Sequence, residues 1–138
     1  MRAIIDTCVI LDYLQGREPF FDDALNIAIG SANREFEGYI TANSITDLYY
    51  IVRKATHSDK KTRRIVSKLL EVFGLVDTLA EDCVNALSSG ITDYEDAVME
   101  QSALRSNIDC LVTRNVRDYS KSRVKILTPS DFLLQFGD

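Results

Sequence analysis

Three aspartates stand at points where an extended run gives way to a helical pattern. Asp6 directly follows the apolar run 3–5, and Asp47 and Asp96 each fall near the start of a segment with helical spacing. Acids that follow parallel strands project to one edge of a sheet, which is where open α/β folds bind their ligands. The three side chains are therefore candidates for one shared acidic site.

Each aspartate also has a purely structural explanation. Asp6 could cap a helix that begins near Val9, and Ser44 with Asp47 could form a capping box, although Glu or Gln is the usual third-position partner. Asp96 could stabilise the start of its helix through the helix dipole. Taken one at a time, none of these positions establishes any chemistry.

Convergence of the acids is what favours a metal site. Several carboxylates within a few Å of one another raise each other's pKa values unless a cation neutralises them, and a divalent metal ion is the simplest solution. Oxygen ligands favour Mg²⁺ or Mn²⁺ over zinc. The only histidine, His57, lies in a polar stretch that we interpret as exposed surface. A Ser-His-Asp or Cys-His mechanism therefore lacks its base, and metal-activated water is the best nucleophile.

The elements that would position these acids alternate along the chain. Segments with helical spacing separate five short apolar runs, which we predict to be strands at residues 3–5, 39–41, 75–76, 110–112 and 124–127. Such alternation indicates an α/β fold with a mostly parallel sheet covered by helices on both faces. Helix starts are predicted at four positions, namely Ser44, Ser58, Asp93 and the Thr128-Pro129 step.

Length and composition predict a single domain over residues 1–138. The chain is 46% hydrophobic, and its net charge of -5 argues against a non-specific nucleic-acid binder. The segment 53–68 is nevertheless strongly basic. It could be a nucleic-acid-binding surface or simply a solvated helix face. No cysteine pair is spaced for zinc and no apolar run approaches a membrane span, so a cytoplasmic protein with no membrane partner is expected.

Four segments in order resemble the motifs of one family. They are residues 4–12 (IIDTCVILD), 44–48 (SITDL), 93–97 (DYEDA) and 113–119 (TRNVRDY), and the ending LTPSDF at 127–132 extends the likeness over essentially the whole chain. The sequence resembles the PIN-domain nucleases, in particular the VapC-type toxin ribonucleases of type II toxin-antitoxin pairs. The order and spacing of the four motifs carry this resemblance, since no single motif is specific.

The resemblance implies a three-layer α/β/α sandwich around a five-stranded parallel sheet, with Mg²⁺- or Mn²⁺-dependent cleavage of RNA. It implies an acidic catalytic quartet formed by Asp6, Asp47, Asp96 and Asp118. In this quartet Asp6, Asp96 and Asp118 would hold the metal, and Asp47 would tune or deprotonate the attacking water. Supporting roles are implied for Asp93, Thr113 and Asn115.

Two positions depart from the family pattern. Asp47 stands where Glu is usual, so its shorter side chain would reach a metal only through water or a shifted helix. Cys8 stands where Asn or Ser is common, which removes a polar contact to the backbone or to Asp6. We expect both departures to affect the rate and the metal affinity rather than the fold.

Partners follow from the charges and from the resemblance. Basic side chains could supply the phosphate contacts that an acidic pocket cannot, and the candidates are Lys54, Lys60, Lys61, Arg64, Arg114 and Arg117. The toxin resemblance further implies an antitoxin that lays a basic side chain across the acidic edge. It also implies a homodimer, for which the apolar helix around residues 45–52 is a possible contact surface unless that helix is simply core.

Other functions fit less well. A haloacid-dehalogenase-type phosphotransferase normally needs a second aspartate where Cys8 stands, and a receiver domain needs an aspartate after its third strand and a lysine after its fifth. The stronger alternative is a PIN-like RNA- or protein-binding module with little or no nuclease activity. Asp47 is the only sequence feature that favours it.

Overall fold

The computed structural model describes residues 1–135, and these contain one sheet of five parallel strands. The strand order is β3-β2-β1-β4-β5. The bounds are β1 Arg2–Ile5, β2 Glu37–Thr41, β3 Gly74–Val76, β4 Cys110–Val112 and β5 Lys125–Leu127. All five predicted strands and the α/β fold class are confirmed.

The register of β1 and β4 brings two polar residues together at the carboxyl edge of the sheet. Ile5 pairs with Val112, so the next residues, Asp6 and Thr113, leave the sheet side by side. The Asp6 N–H still donates to Val112 O at 2.9 Å, and the Thr113 N–H donates to Leu127 O at 3.0 Å. The sheet therefore fixes the backbone of both residues.

Seven α-helices and one short 3-10 helix complete the described part of the chain. The α-helices are α1 Thr7–Gln15, α2 Phe21–Ala32, α3 Ala42–Thr56, α4 Asp59–Val72, α5 Ala80–Ala86, α6 Tyr94–Arg105 and α7 Pro129–Leu134. The 3-10 helix, Val116–Tyr119, lies between β4 and β5.

The helices cover both faces of the sheet. On one face, Ala3 and Ile5 of β1 pack with α1 to α4 and α7. On the other face, Ile4 packs with α5, α6 and the 3-10 residue Tyr119. This division follows from the two-residue period of a strand, whose successive side chains point to opposite faces. The predicted three-layer α/β/α sandwich is confirmed.

Three of the four predicted helix starts are confirmed. The side chain before the helix accepts a hydrogen bond from a backbone N–H three residues on at Ser58, Asp93 and Thr128. The start at Ser44 is wrong, because α3 begins at Ala42 directly after β2. Ser44 Oγ instead lies 2.7 Å from Thr41 Oγ1, and no capping box with Asp47 forms.

The structure also describes the cysteines, the single histidine and the apolar character of the helices. Cys8, Cys83 and Cys110 are all free. His57 is exposed at the C-cap of α3, as predicted. Within residues 1–135, none of the helices combines the length and apolar character that crossing a membrane requires.

Candidate acidic active site

Asp6 is positioned by both the strand before it and the helix after it. It is the N-cap of α1, which starts at Thr7 rather than near Val9, and its Oδ1 accepts from the Thr7 N–H at 2.8 Å. Its Oδ2 accepts from the Thr113 hydroxyl at 2.7 Å. Burial raises the pKa of Asp6, more than these hydrogen bonds lower it. The capping role and a chemical role are therefore compatible in one side chain.

Asp96 lies in the first turn of α6, on the other side of the same edge. Asp93, the N-cap of this helix, accepts from the Asp96 N–H at 3.0 Å. The buried Tyr119 hydroxyl donates to Asp96 Oδ1 at 2.8 Å. Burial, with the nearby charges of Asp93, Asp6 and Asp118, raises the pKa of Asp96 to about 6 despite that hydrogen bond.

Both carboxylates line one cavity of about 540 Å³ at the carboxyl edge of the sheet. Other acidic and amide side chains share its wall, namely Asn43, Asp47, Asp93, Glu95 and Asn115. We call this space the acidic cavity. The fold thus brings four predicted site residues to the same cavity as Asp6, namely Asp47, Asp93, Asp96 and Asn115.

Asp47 reaches the acidic cavity from a different position than the sequence predicts. Because α3 begins at Ala42, Asp47 lies in the second turn of the helix and not in the first. Its side chain is exposed. It lines the cavity without any hydrogen bond or ion pair to another described residue.

Asp118 lies on the 3-10 helix and is exposed. It lines a neighbouring cavity rather than the acidic cavity, and Asp93 lines both. Its charge is nevertheless close enough to raise the pKa values of Asp6 and Asp96. Asp118 is therefore an electrostatic neighbour of the two carboxylates that is displaced to one side.

Thr113 links the segment after β4 to the site. Its buried hydroxyl donates to Asp6 and accepts from the Asn115 N–H at 3.0 Å. Cys8 Sγ lies 3.8 Å from both Asp6 Oδ2 and Thr113 Oγ1. The prediction that Cys8 removes a contact to Asp6 is therefore wrong, because the thiol retains a long one.

Comparison with known proteins identifies the family. The PIN-domain sequence model matches residues 2–117. The chain belongs to the PIN-domain family. This membership separates it from the phosphotransferase and receiver alternatives. No curated protein matches the sequence at a significant level.

Solved structures share the PIN fold at low sequence identity. VapBC2 from Rickettsia felis, bound to a promoter DNA fragment, has a TM-score of 0.69 at 14% identity over 93% of this chain and 98% of its own. A toxin-antitoxin complex from Klebsiella pneumoniae has a TM-score of 0.66 at 21% identity, over 92% of this chain and 97% of its own. DNA-bound VapBC from Salmonella typhimurium has a TM-score of 0.65 at 13% identity, over 94% of this chain and 98% of its own. At these identities the likeness shows the fold.

Of the basic side chains predicted to bind RNA, only Lys54 lines the acidic cavity of this PIN domain. Lys60, Lys61 and Arg64 lie exposed on α4, and Arg117 lines the neighbouring cavity. Arg114 is held by the buried Asp12 through two contacts, Nε to Oδ2 at 2.6 Å and Nη2 to Oδ1 at 3.2 Å.

Several residues of the acidic cavity had no signal in the sequence. Arg17 and Tyr50 line it together with the predicted residues. Tyr119, which donates to Asp96, lies next to Asp118 in the fourth motif, yet nothing in that motif predicts its hydrogen bond. Each of these contacts joins distant parts of the chain, and spacing alone does not reveal them.

The oxygen donors around the acidic cavity suit Mg²⁺ or Mn²⁺. Within residues 1–135, none of the five predicted aspartates forms a salt bridge. In the same range, no three acidic, cysteine or histidine side chains are close enough to hold one ion together. The site fits an ion that takes one or two carboxylates and keeps water, as protein-bound Mg²⁺ commonly does.

Proposed function

We propose that this PIN domain is a divalent-metal-dependent ribonuclease and the toxin component of a toxin-antitoxin pair. The observation that carries the proposal is the position of Asp6 and Asp96 at one cavity, both with raised pKa values and neither in a salt bridge with another described residue. Holding two such carboxylates together costs free energy, and a divalent cation would recover it. Family membership supports a nuclease, and the toxin-antitoxin complexes that share the fold support the biological role.

In this proposal Asp6, Asp96 and Asp118 would hold Mg²⁺ or Mn²⁺. The bound ion would lower the pKa of a water molecule and offset the charge that develops on the RNA phosphate. Tyr119 positions Asp96 by donating to its Oδ1. Thr113 positions Asp6 by donating to its Oδ2.

Asp47 and Asn115 act on the attacking water and the phosphate in the proposed reaction. Asp47 is exposed and unpaired within the described residues, so it is free to accept a proton from the water or to orient it. Asn115 carries an amide on the same wall. Lys54 and Arg17 on the cavity wall would bind the phosphates that flank the cleaved bond, because the acidic centre itself repels them.

An antitoxin partner would exploit the same uncompensated charge. A basic side chain laid into the acidic cavity would pair with Asp6 and Asp96 in place of the metal and so block the site. Homodimer formation through α3 has less support, because Leu48 and Val52 are buried in the core and Ile51 lines the cavity. We therefore expect any homodimer to use other exposed apolar side chains.

A cleavage assay with Asp6→Asn tests the proposal. Asn is also a good N-cap residue, so the variant should fold normally. We expect wild-type protein to cleave a mixed RNA pool with Mg²⁺ or Mn²⁺ and to stop when EDTA is added, whereas Asp6→Asn should cleave far more slowly. An Asp6→Asn protein that cleaves at the wild-type rate would overturn the assignment.

A PIN-like binding module with little or no nuclease activity is the second candidate. It is favoured by the absence, in residues 1–135, of three side chains poised around one ion. RNA binding without any metal-dependent cleavage would support it over the enzyme. The assay above therefore distinguishes the two functions directly.

A further inference from the structure

A second cavity adjoins the acidic cavity and shares Asp93 with it. Its volume is about 520 Å³, and we call it the flanking cavity. One wall runs from Gly90 to Tyr94, the first residue of α6, and the other is the segment around the 3-10 helix, with Arg117 and Lys121. Of the residues that line this cavity, the proposed reaction uses only Asp118.

Tyr94 offers a fixed aromatic surface in the flanking cavity. Its side chain is 48% exposed, although it is large and partly apolar. Its hydroxyl donates to Cys83 O at 2.8 Å, which restrains the ring against the end of α5. An exposed ring that is already held in place can stack a nucleobase with little loss of conformational entropy.

Arg117 and Lys121 supply positive charge beside that ring. Both are exposed, and neither forms a salt bridge with another residue in the range 1–135. Asp93 lines both cavities, whereas Arg117 and Lys121 line the flanking cavity and not the acidic cavity. The flanking cavity therefore carries positive charge that the wall of the acidic cavity does not share.

The two walls of the flanking cavity are tied to one buried carboxylate. Glu100, on α6, is 2% exposed and accepts from the Ser89 hydroxyl and from the Arg123 N–H, each at 2.9 Å. At Gly90 the walls approach so closely that a Cβ would lie 3.2 Å from Lys121 Cβ. These contacts fix the spacing between the two segments at the Gly90 end of the flanking cavity.

We propose that the flanking cavity binds the nucleotide next to the cleaved phosphate in single-stranded RNA. The base would stack on Tyr94, and the adjoining phosphate would pair with Arg117 and Lys121. This inference rests on the proposed ribonuclease function, because it places the scissile phosphate at Asp96. A single strand is required because the bases of a duplex are already stacked and do not present a free face.

The stacking contact is tested with fluorescently labelled single-stranded RNA in Mg²⁺. The background is Asp96→Asn, which is expected to bind without cleaving. In that background Tyr94→Leu should weaken binding about tenfold, the usual scale for loss of one aromatic stack, whereas Tyr94→Phe keeps the ring and should change it by about twofold or less. The Tyr94→Leu and Tyr94→Phe variants should both bind the corresponding RNA duplex weakly and with equal affinity.

The phosphate contact has a separate readout in salt. Each phosphate contact on a single strand contributes about 0.7 to the slope of log affinity against log salt. The double variant Arg117→Gln/Lys121→Gln should therefore lower that slope by about 1.4. Lys125→Gln is the matched control, because Lys125 is exposed at the opposite, amino end of β5 and should leave the slope unchanged.

The outcomes separate this inference from the proposed function. If wild-type protein cleaves RNA but Tyr94→Leu and the double variant bind like Lys125→Gln, the flanking site is wrong and the ribonuclease stands. If the wild-type protein cleaves nothing, yet these variants lose affinity and salt dependence, the site is supported and the cleavage mechanism is wrong. A preference for the duplex over the single strand would also overturn the site.

Discussion

At the scale of single residues, the site depends on two carboxylates that the fold keeps partly away from water. Asp6 and Asp96 have raised pKa values for the same first reason, burial, and the neighbouring acids add to it. Hydrogen bonds from Thr113 and Tyr119 oppose the shift without cancelling it. Such a pair is poorly stable when both groups are ionised, which is the condition under which a cation binds best.

Asp96 should therefore make the metal-free protein less stable as the pH rises. Its pKa moves from an ordinary value of 3.8 to about 6 on folding, so the folded state binds the extra proton between these values. Stability from this group is present below about pH 4 and is lost as the pH rises through about 6. Thermal unfolding in EDTA should show Asp96→Asn gaining stability over the wild type mainly above about pH 6.

Asp22→Asn is the control for that experiment, because Asp22 is an exposed acid on α2 remote from the acidic cavity. Added Mg²⁺ should stabilise the wild type more above about pH 6 than below it, since Asp96 must lose its proton to bind the ion. A difference between Asp96→Asn and the wild type that does not vary with pH would contradict the assigned shift.

Asp47 permits a test in the direction of increased activity. Asp47→Glu restores the side chain that the family usually carries and adds one methylene from the second turn of α3 towards the cavity. We expect a higher cleavage rate and a lower Mn²⁺ requirement, measured under single-turnover conditions. Asp47→Gln introduces a side chain as long as Glu but without its charge, and it should not increase the cleavage rate. Equal rates for the Glu and Gln variants would mean that Asp47 has no role in the reaction.

Residue types and strand ends were sufficient to predict Asp6 and Asp96 but not their partners. An acid that follows an apolar run can be recognised from the sequence alone. The Tyr119 hydroxyl reaches Asp96 across 23 positions, and Thr113 reaches Asp6 across 107. Those contacts depend on how α6 and β4 pack against β1, which the sequence pattern alone does not specify.

At the scale of elements, one ion pair connects α1 to the segment after β4. Asp12 is 1% exposed, and its carboxylate is held by the Arg114 guanidinium, which also lies 3.9 Å over the Phe20 ring. Arg114 stands between Thr113 and Asn115, so the pair fixes the segment that holds Asp6 from one side. Arg114 therefore positions the site, whatever it contributes to RNA binding.

Breaking this pair should affect stability unequally from its two ends. Arg114→Gln leaves the Asp12 carboxylate buried without a cation and should cost about 3 kcal/mol of unfolding free energy. Asp12→Asn leaves a partly exposed guanidinium that can turn to water, so its cost should be smaller. Urea unfolding measures both, with Arg17→Gln as an exposed-arginine comparison. A larger cost for Asp12→Asn than for Arg114→Gln would contradict this account.

Strands were easier to predict than helix boundaries. The five apolar runs are interrupted by polar residues, so their positions are clear. The start of α3 was placed at Ser44 because Ser is a good N-cap, but β2 passes into α3 without a loop and the Ser44 hydroxyl contacts Thr41 instead. Helix α5 was not predicted, because Ala80–Ala86 is short and has little helical spacing of apolar residues.

At the scale of the whole molecule, charge is divided between an acidic centre and basic surroundings. The net charge of -5 conceals the basic surface of α4 and the arginine and lysine residues around the two cavities. In the proposed function, the basic side chains would bind an anionic strand and the acidic centre would bind a cation. Of the basic segment 53–68 that the sequence predicts, only Lys54 lines the acidic cavity.

Exposed apolar side chains on α5 and just after it are the strongest remaining candidates for a contact between copies of the chain. Val84 is 65% exposed and Leu87 is 75% exposed. If a homodimer forms through this surface, sedimentation of the wild type should give a dimer and Leu87→Glu should give a monomer that still unfolds cooperatively. A wild type that remains monomeric at high concentration would end the homodimer proposal.

In the proposed function, Asp6 and Asp96 share a divalent ion that is needed to cleave RNA. The most direct measurement is single-turnover cleavage of a single-stranded RNA pool as Mn²⁺ is titrated into the wild type, Asp96→Asn and the Asp22→Asn control. We predict saturable, EDTA-reversible cleavage for the wild type and the control, and almost none for Asp96→Asn at any Mn²⁺ concentration. Cleavage that persists without metal, or at the same rate in Asp96→Asn, would contradict the account.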